Sequence, residues 1–85
     1  MKNWKERLGD PEALRPRTLA ELYGSERLLV EQHKGIVSYS TECIRIAASS
    51  GTLVVEGEHL HLCCMSRSQL VIRGTLRCLR LEGGI

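Results

Sequence analysis

From Arg27 onward, apolar residues recur at every second position, which is the period of half-buried β-strands. The alternation defines seven short segments, separated by turn-forming stretches such as Ser-Ser-Gly at 49–51 and Ser-Arg-Ser at 66–68. Short strands at this spacing are typical of sandwiches and barrels. We therefore predict an all-β protein, a small antiparallel β-sandwich of about seven short strands.

The same alternation predicts which side chains form the core. Gly57 and Gly74 interrupt it where a bend or a bulge would leave no room for a side chain. Leu76 and Leu79 are three positions apart, and this slip predicts a bulge at Arg77-Cys78. The side chains expected to be buried are Leu28, Val30, Ile44, Ile46, Leu53, Val55, Leu60, Leu62, Leu70, Ile72, Leu79 and Leu81, and those expected to be exposed are His59, His61, Arg73 and Arg80.

Residues 1–24 have a different character from the rest. They contain both prolines, Pro11 and Pro16, which exclude one continuous helix there. We therefore predict a partly irregular N-terminal segment at 1–24, followed by a β domain at 25–85.

One short helix is predicted within this segment. Thr18 and Glu21 have the spacing of a capping box, which favours a helix from Leu19 to Tyr23, and Gly24 would end it. The letters "ELYG" are also compatible with the end of a strand, and the sequence leaves both interpretations open.

Composition narrows the class of function. The chain has 85 residues, no Phe, one Trp and two Tyr, so the core must be aliphatic. A net charge of +2 and few aromatic side chains for base stacking argue against nucleic acid. No apolar run approaches the roughly 20 residues of a membrane span, and no signal peptide opens the chain. We expect a soluble, cytosolic protein.

The four cysteines, Cys43, Cys63, Cys64 and Cys78, are interpreted as reduced, unliganded thiols that act as small apolar fillers. None belongs to a C-x-x-C pair, the usual signature of zinc or redox sites. We expect no cofactor.

The strongest chemical constellation is "HLHLCC", because His59, His61 and Cys63 would alternate onto one strand face and could bind zinc. A fourth ligand is not evident, so solvent-exposed histidines are the preferred interpretation. A thiol enzyme using Cys63 or Cys64 beside His61 is disfavoured, because neighbours on a strand point to opposite faces.

A catalytic interpretation also exists for "EQHKG". His33 could carry a proton, with Glu31 or Glu42 orienting it. The alternative, which we favour, places His33 at the end of a strand beside a turn.

Two features suggest an interaction surface. Residues 67–81 lack acidic side chains, and Arg73, Arg77 and Arg80 could meet an anionic membrane, nucleic acid or an acidic partner, although such runs are commonly solvated strand faces. The segment "RLLVEQH" is predicted to be an edge strand with Leu29 outward, through which the domain would self-associate or dock.

Three motifs carry a resemblance to a known family. They are Glu31-x-His33-Lys34-Gly35-Ile36, Ile44-Arg45-Ile46 and the G-x-L-x-x-L-x-L ending from Gly74 to Leu81. Over about residues 16–82 the chain resembles the YqfC/YabP family of bacterial endospore-formation proteins, and it is most similar to YqfC. The resemblance implies a small all-β protein of the mother cell, without catalytic residues, located in the cytoplasm or peripherally at a membrane.

The resemblance also implies partners, because YqfC-like members are paired with the membrane protein YqfD and YabP-like members with YabQ. We therefore interpret the chain as a non-enzymatic assembly or adaptor module of spore morphogenesis. It would work with a YqfD-like membrane protein and use no small-molecule substrate. Self-association into a homo-oligomer is a further hypothesis. The alternatives are a metal- or thiol-dependent site at His59, His61 and Cys63, and arginine-mediated binding to an anionic membrane or nucleic acid.

Overall fold

The computed structural model describes residues 17–83, which form six strands and no helix. The strands are β1 (Leu19–Tyr23), β2 (Arg27–Glu31), β3 (Ile36–Tyr39), β4 (Cys43–Ala48), β5 (Gly51–Met65) and β6 (Gln69–Glu82). They form one antiparallel sheet in the order β1-β2-β6-β5-β4-β3. The predicted all-β class is confirmed, and the inference from Pro11 and Pro16 lies outside the described residues.

The strand count differs from the expected seven for two reasons. β5 and β6 are 15 and 14 residues long, and each contains two of the predicted segments, because Gly57 and Gly74 bend these strands without ending them. β1 adds a strand that the alternation does not indicate.

The sheet folds over on itself along the long β5–β6 hairpin. Layer 1 consists of β1, β2, residues 69–73 of β6 and residues 61–65 of β5. Layer 2 consists of residues 75–82 of β6, residues 51–58 of β5, β4 and β3. The core lies between the layers: Leu28, Val30, Leu70 and Ile72 come from layer 1, Ile44, Ile46, Leu53 and Val55 from layer 2, and Leu60 from the bend. The sandwich is thus one continuous sheet.

Gly57 and Gly74 allow β5 and β6 to approach closely at the bend. A Cβ atom on Gly57 would overlap the backbone carbonyl oxygen of Thr75, and one on Gly74 would lie 2.6 Å from the carbonyl oxygen of His59. Gly74 also has a φ of +140°, which disfavours other residues. The predicted role of these glycines is confirmed.

Bulges accompany the bend. Glu56 pairs with Cys78 and Gly57 with Leu76, so Arg77 is an extra residue on β6, as the slip in the alternation predicts. Two further register shifts lie on β5, between Glu58 and His61 and between Leu62 and Cys64. Such bulges increase the local twist and help two long strands bend together.

The predicted core is largely confirmed, since nine of the expected side chains form the buried cluster. Leu62 and Leu79 are partly buried against it. Leu81 is wrongly predicted to be buried: it is 57% exposed near the end of β6, where layer 1 does not cover it. Val54 is fully buried although it faces outward, because Arg45 and Arg80 flank it on the neighbouring strands and their aliphatic stems cover it. His59, His61, Arg73 and Arg80 are exposed, as predicted.

Of the two interpretations left open for Leu19 to Tyr23, the strand is correct and the helix is not, because this segment is β1, paired along its whole length with β2. Thr18 does not cap a helix. Its hydroxyl donates to the carbonyl oxygen of Gln32 at 2.7 Å and accepts from the backbone N–H of Ser49 at 2.9 Å. These bonds fix the start of β1 to both layers, so long-range contacts outweigh the local capping signal.

Replacing Gly57 by Ala tests the close approach. The new Cβ meets rigid backbone, so we expect a loss of about 3 kcal/mol in the free energy of unfolding, measured by urea denaturation. Gly24→Ala is the matched control: Gly24 has a φ of +65° but nothing within 4 Å of an added Cβ, so only the backbone cost of about 1 kcal/mol applies. Equal losses in the two variants would contradict a steric role for Gly57.

Candidate interaction surface

His33 joins the two turns at one end of the layers. Its side chain is only 7% exposed. The backbone N–H of Gly35 donates to Nδ1 at 3.0 Å, so Nε2 carries the proton and donates to the carbonyl oxygen of Ser66, also at 3.0 Å. Both ring nitrogens are therefore occupied by backbone groups, and neither Glu31 nor Glu42 orients the ring. The catalytic interpretation of "EQHKG" is wrong, and His33 connects the β2–β3 link to the β5–β6 turn.

Replacing His33 by Ala should lower the free energy of unfolding by about 3 kcal/mol, because two backbone groups lose their partners in a buried place. His61→Ala, at an exposed position, should stay within about 0.5 kcal/mol of the parent chain. The comparison needs only urea or thermal denaturation, and a His33→Ala transition that coincides with that of His61→Ala would contradict the bridging role.

The zinc candidates are only partly brought together. His61 and Cys63 line one open depression of about 430 Å³ with Arg73 and Glu26, whereas His59 does not line it. His59 has a φ of +55° at the first β5 bulge, and Cys63 is the extra residue of the second. The shared strand face expected for all three is therefore interrupted. Within residues 17–83, no three His, Cys, Asp or Glu side chains are grouped so as to hold a metal.

The four cysteines are free thiols in two environments. Cys43 and Cys78 are half-buried on the outer face of layer 2, where each lies opposite Glu56 on β5. Cys63 and Cys64 are exposed, so the interpretation of all four as buried fillers is wrong for this pair. The bulge at Cys63 breaks the alternation that would have indicated their positions.

The arginines considered as one surface are distributed over both layers. Arg77 forms an ion pair with Glu58 at 2.6 Å, and Arg80 pairs with Glu56 and Glu82, each at 2.8 Å. Arg73 lies in layer 1, and its guanidinium makes no hydrogen bond or ion pair with another described residue. The structure thus places Arg73 on the same outer face as Leu29 and separates both from Arg77 and Arg80.

The outer face of layer 2 carries a chain of alternating charges. Glu82 accepts from Arg80 at 2.8 Å and from Arg45 at 3.0 Å, and Arg80 continues to Glu56. Hydrogen bonds from Arg80 and Arg45 lower the pKa of Glu82, and the bonds to Glu56 and Glu82 raise the pKa of Arg80. These four side chains neutralise one another across three strands and cover Val54. The outer face of layer 2 therefore has paired charges and a buried valine.

The Glu82 network predicts a dependence of stability on pH. Because the folded-state pKa of Glu82 lies below its ordinary value of 4.5, its contribution to stability is complete above that value and disappears as pH falls through the folded-state pKa. In Glu82→Gln this contribution is absent, so the difference in unfolding free energy between the parent and the variant should shrink in acid. Added salt should also reduce it, since the pair is half-exposed. Chemical denaturation from pH 7 to pH 3 measures the difference, and a constant value would contradict the role of the ion pairs.

The outer face of layer 1 is apolar at its centre. Leu29 on β2 lies directly opposite Val71 on β6, and both are half-buried. Cys64 continues the row on β5. On β1, Glu21 lies directly opposite Leu29, between Leu19 and Tyr23, which are 48% and 45% exposed. This face has no charge network like that of layer 2.

The rim of the layer 1 face is polar. Arg27 stacks over the Tyr23 ring at 4.8 Å from its centroid, and the Gln69 amide donates to Glu31 at 3.0 Å. Arg73 completes the rim as a cation without a partner among the described residues. An apolar centre with a polar, aromatic and arginine-containing border is the composition typical of protein-binding surfaces.

The edges of the sheet differ from the prediction. β2 lies between β1 and β6, so the expectation that "RLLVEQH" is an edge strand with Leu29 at its margin is wrong. β1, the segment for which the sequence leaves both helix and strand open, is the first strand in the sheet order, and β3 is the last. Five of the seven large hydrophobic side chains that are exposed within residues 17–83 belong to these two edge strands: Leu19, Leu22, Tyr23, Val37 and Tyr39.

Fold and surface together define a class: within residues 17–83, a helix-free antiparallel β domain with an apolar outer face on layer 1 and a charge-paired outer face on layer 2. A comparison with family models matches residues 15–84 to the YabP family, and the chain belongs to that family. Membership is consistent with a sporulation-associated protein, and the family is not known to be enzymatic. Searches of curated proteins and of solved structures gave no match. In the part that the structure describes, there is no helix capable of crossing a membrane.

Proposed function

We propose that this chain is a non-enzymatic assembly module of spore morphogenesis, most similar to YqfC, which binds a membrane protein of the YqfD type in the mother cell. The outer face of layer 1 is the proposed docking surface. Family membership supports a role in sporulation, and the contrast between the two outer faces supports binding through layer 1.

The observation that carries the proposal is this contrast. In layer 2, Arg80 is engaged by two carboxylates and Val54 is covered, so little is gained by adding a partner. In layer 1, Leu29 and Val71 are half-buried and would become fully buried under a partner. Burial of apolar area stabilises by roughly 25 cal/mol for each Å², which makes layer 1 the favourable face.

Arg73 favours a partner that carries an acidic side chain. Its guanidinium has no partner within residues 17–83 and lies two residues along β6 from Val71, on the same face. A carboxylate on the partner could form a bidentate pair with it beside the apolar centre. We therefore expect the docking segment of the membrane protein to present apolar side chains together with an acidic one.

The test is recovery of the membrane partner from detergent-solubilised extracts of sporulating cells, with the full chain as bait. Val71→Lys places a charge in the middle of the layer 1 face. We expect recovery of the partner to fall by about tenfold, the effect of losing roughly 1.4 kcal/mol at a central contact.

Ala47→Lys is the matched control, because Ala47 is half-buried and points outward from β4 in layer 2. Ala47→Lys should recover as much of the membrane partner as the parent chain does. Both variants should show the parent's β-sheet circular dichroism. Equal recovery with Val71→Lys and with the parent would overturn the assignment of the docking face. Capture of no membrane protein by the parent would overturn the proposed function.

A further inference from the structure

The edge formed by β1 has few of the features that normally prevent a sheet from extending, and Glu21 is its only charged residue. Its sequence, Leu-Ala-Glu-Leu-Tyr, contains no Pro, Lys or Arg, and it pairs with β2 without a register shift. All five residues are exposed. A regular edge strand with exposed leucines is a template for pairing with another strand.

The opposite edge is protected by comparison. β3 is only four residues long, and the register shifts between Ile36 and Ser38, so Val37 lies at an irregularity. The hydroxyl of Tyr39 accepts a hydrogen bond from the backbone N–H of Leu62 at 3.1 Å, which covers part of the neighbouring β5 edge. An irregular, short strand is a poor template, so β1 is better suited to pairing than β3.

Leu22 marks a second feature of this edge. It is 54% exposed and points from β1 toward the interior side of layer 1, where it lines an open cleft of about 220 Å³ with Leu28, Val55 and Leu76. The cleft lies between the β1–β2 turn and the free side of β6. A strand added at β1 would cover Leu22 and narrow the opening of the cleft.

We propose that β1 pairs antiparallel with β1 of a second copy about a two-fold axis, with Leu22 opposite Leu22 of the other copy. A two-fold axis through a residue places residues of the same face opposite each other. At least three residues of β1 then pair with β1 of the other copy only when the central residue is Ala20, Glu21 or Leu22.

The side chains discriminate between these registers. A centre at Glu21 would place two carboxylates opposite each other, which is destabilising. A centre at Ala20 would leave both Leu22 side chains opposite Thr18. A centre at Leu22 brings the two leucines into contact and places each Glu21 opposite Tyr23, whose ring carries the Arg27 guanidinium. In this register the two leucines bury each other, and each Glu21 lies near the Arg27 guanidinium of the other copy.

The chain's own preceding segment is a poorer occupant, because Pro11 and Pro16 cannot donate ladder hydrogen bonds. Pairing of two copies also places two layer 1 faces side by side in one wider sheet. The inference is independent of the proposed function, since the dimer uses the strand edge and the membrane partner uses the face.

The register can be tested by cross-linking the full chain. The exposed Cys63 and Cys64 are first replaced by Ser, and Ala20→Cys, Glu21→Cys and Leu22→Cys are then introduced one at a time. In the proposed register, the two Leu22 positions are directly opposite, within the Cα separation that a disulfide requires. The two Ala20 positions are four residues out of register, about 13 Å along the strand. Leu22→Cys should therefore give several-fold more disulfide-linked dimer than either other variant.

Light scattering over a range of protein concentrations supplies the second measurement. We expect the parent chain to dimerise, Leu22→Lys to be monomeric, and Val37→Lys on the protected edge, with a similarly exposed side chain, to dimerise as the parent does. A parent chain that stays monomeric at the highest concentration would overturn the inference. A dimer that cross-links best through position 20 or 21, or that Val37→Lys abolishes while Leu22→Lys does not, would overturn it as well.

Discussion

The close approach of β5 and β6 at Gly57 and Gly74 is the constraint on which the rest of this structure depends. A flat sheet of six strands without helices would expose its apolar face on one side, and only folding the sheet over can bury that face. At the bend, backbone atoms of Thr75 and His59 occupy the space that a side chain at position 57 or 74 would need. Positions 57 and 74 therefore require glycine. Once the hairpin is bent, layer 1 and layer 2 share one aliphatic core, and His33 joins the turns at its end.

The difference between the two outer faces follows from what lies beside each arginine. The stretch 67–81 contains no acidic residue, so along the chain it appears as one basic surface. In the sheet, however, Glu56 and Glu58 on β5 lie close to Arg80 and Arg77 on the adjacent strand. Arg73 precedes the bend and therefore belongs to the other layer. The bend thus places Arg77 and Arg80 on the layer 2 side, where carboxylates neutralise them. It places Arg73 on the layer 1 face, where this cation has no partner among the described residues.

Much of the fold could be predicted because strand alternation is a local signal. The core positions, the glycine bend and the bulge at Arg77 all came from spacing alone. What alternation could not provide was pairing between distant segments. β1 carried a helix-capping pattern, and its strand conformation depends on β2 and on the bonds between Thr18 and Ser49, which are separated by 31 residues. Because the sequence does not decide between helix and strand for residues 19–23, it predicts the segment containing Leu29 as the edge strand, although the outward orientation of Leu29 is correct. The roles of His33 and Val54 also depend on distant partners.

A domain this small has little capacity for an enclosed binding cavity, since volume left empty in its core removes contacts that its stability requires. The two openings described above are open to solvent and lie at the margins, one beside the β1–β2 turn and one beside the β5 bulges. The two proposed contacts accordingly use a face and an edge of the sheet. Leu22 lies at the margin of layer 1, where residues 17–83 provide no further strand to cover it, so its exposure is a consequence of the strand order. The same bend that completes the core leaves β1 and β3 at the two ends of the strand order.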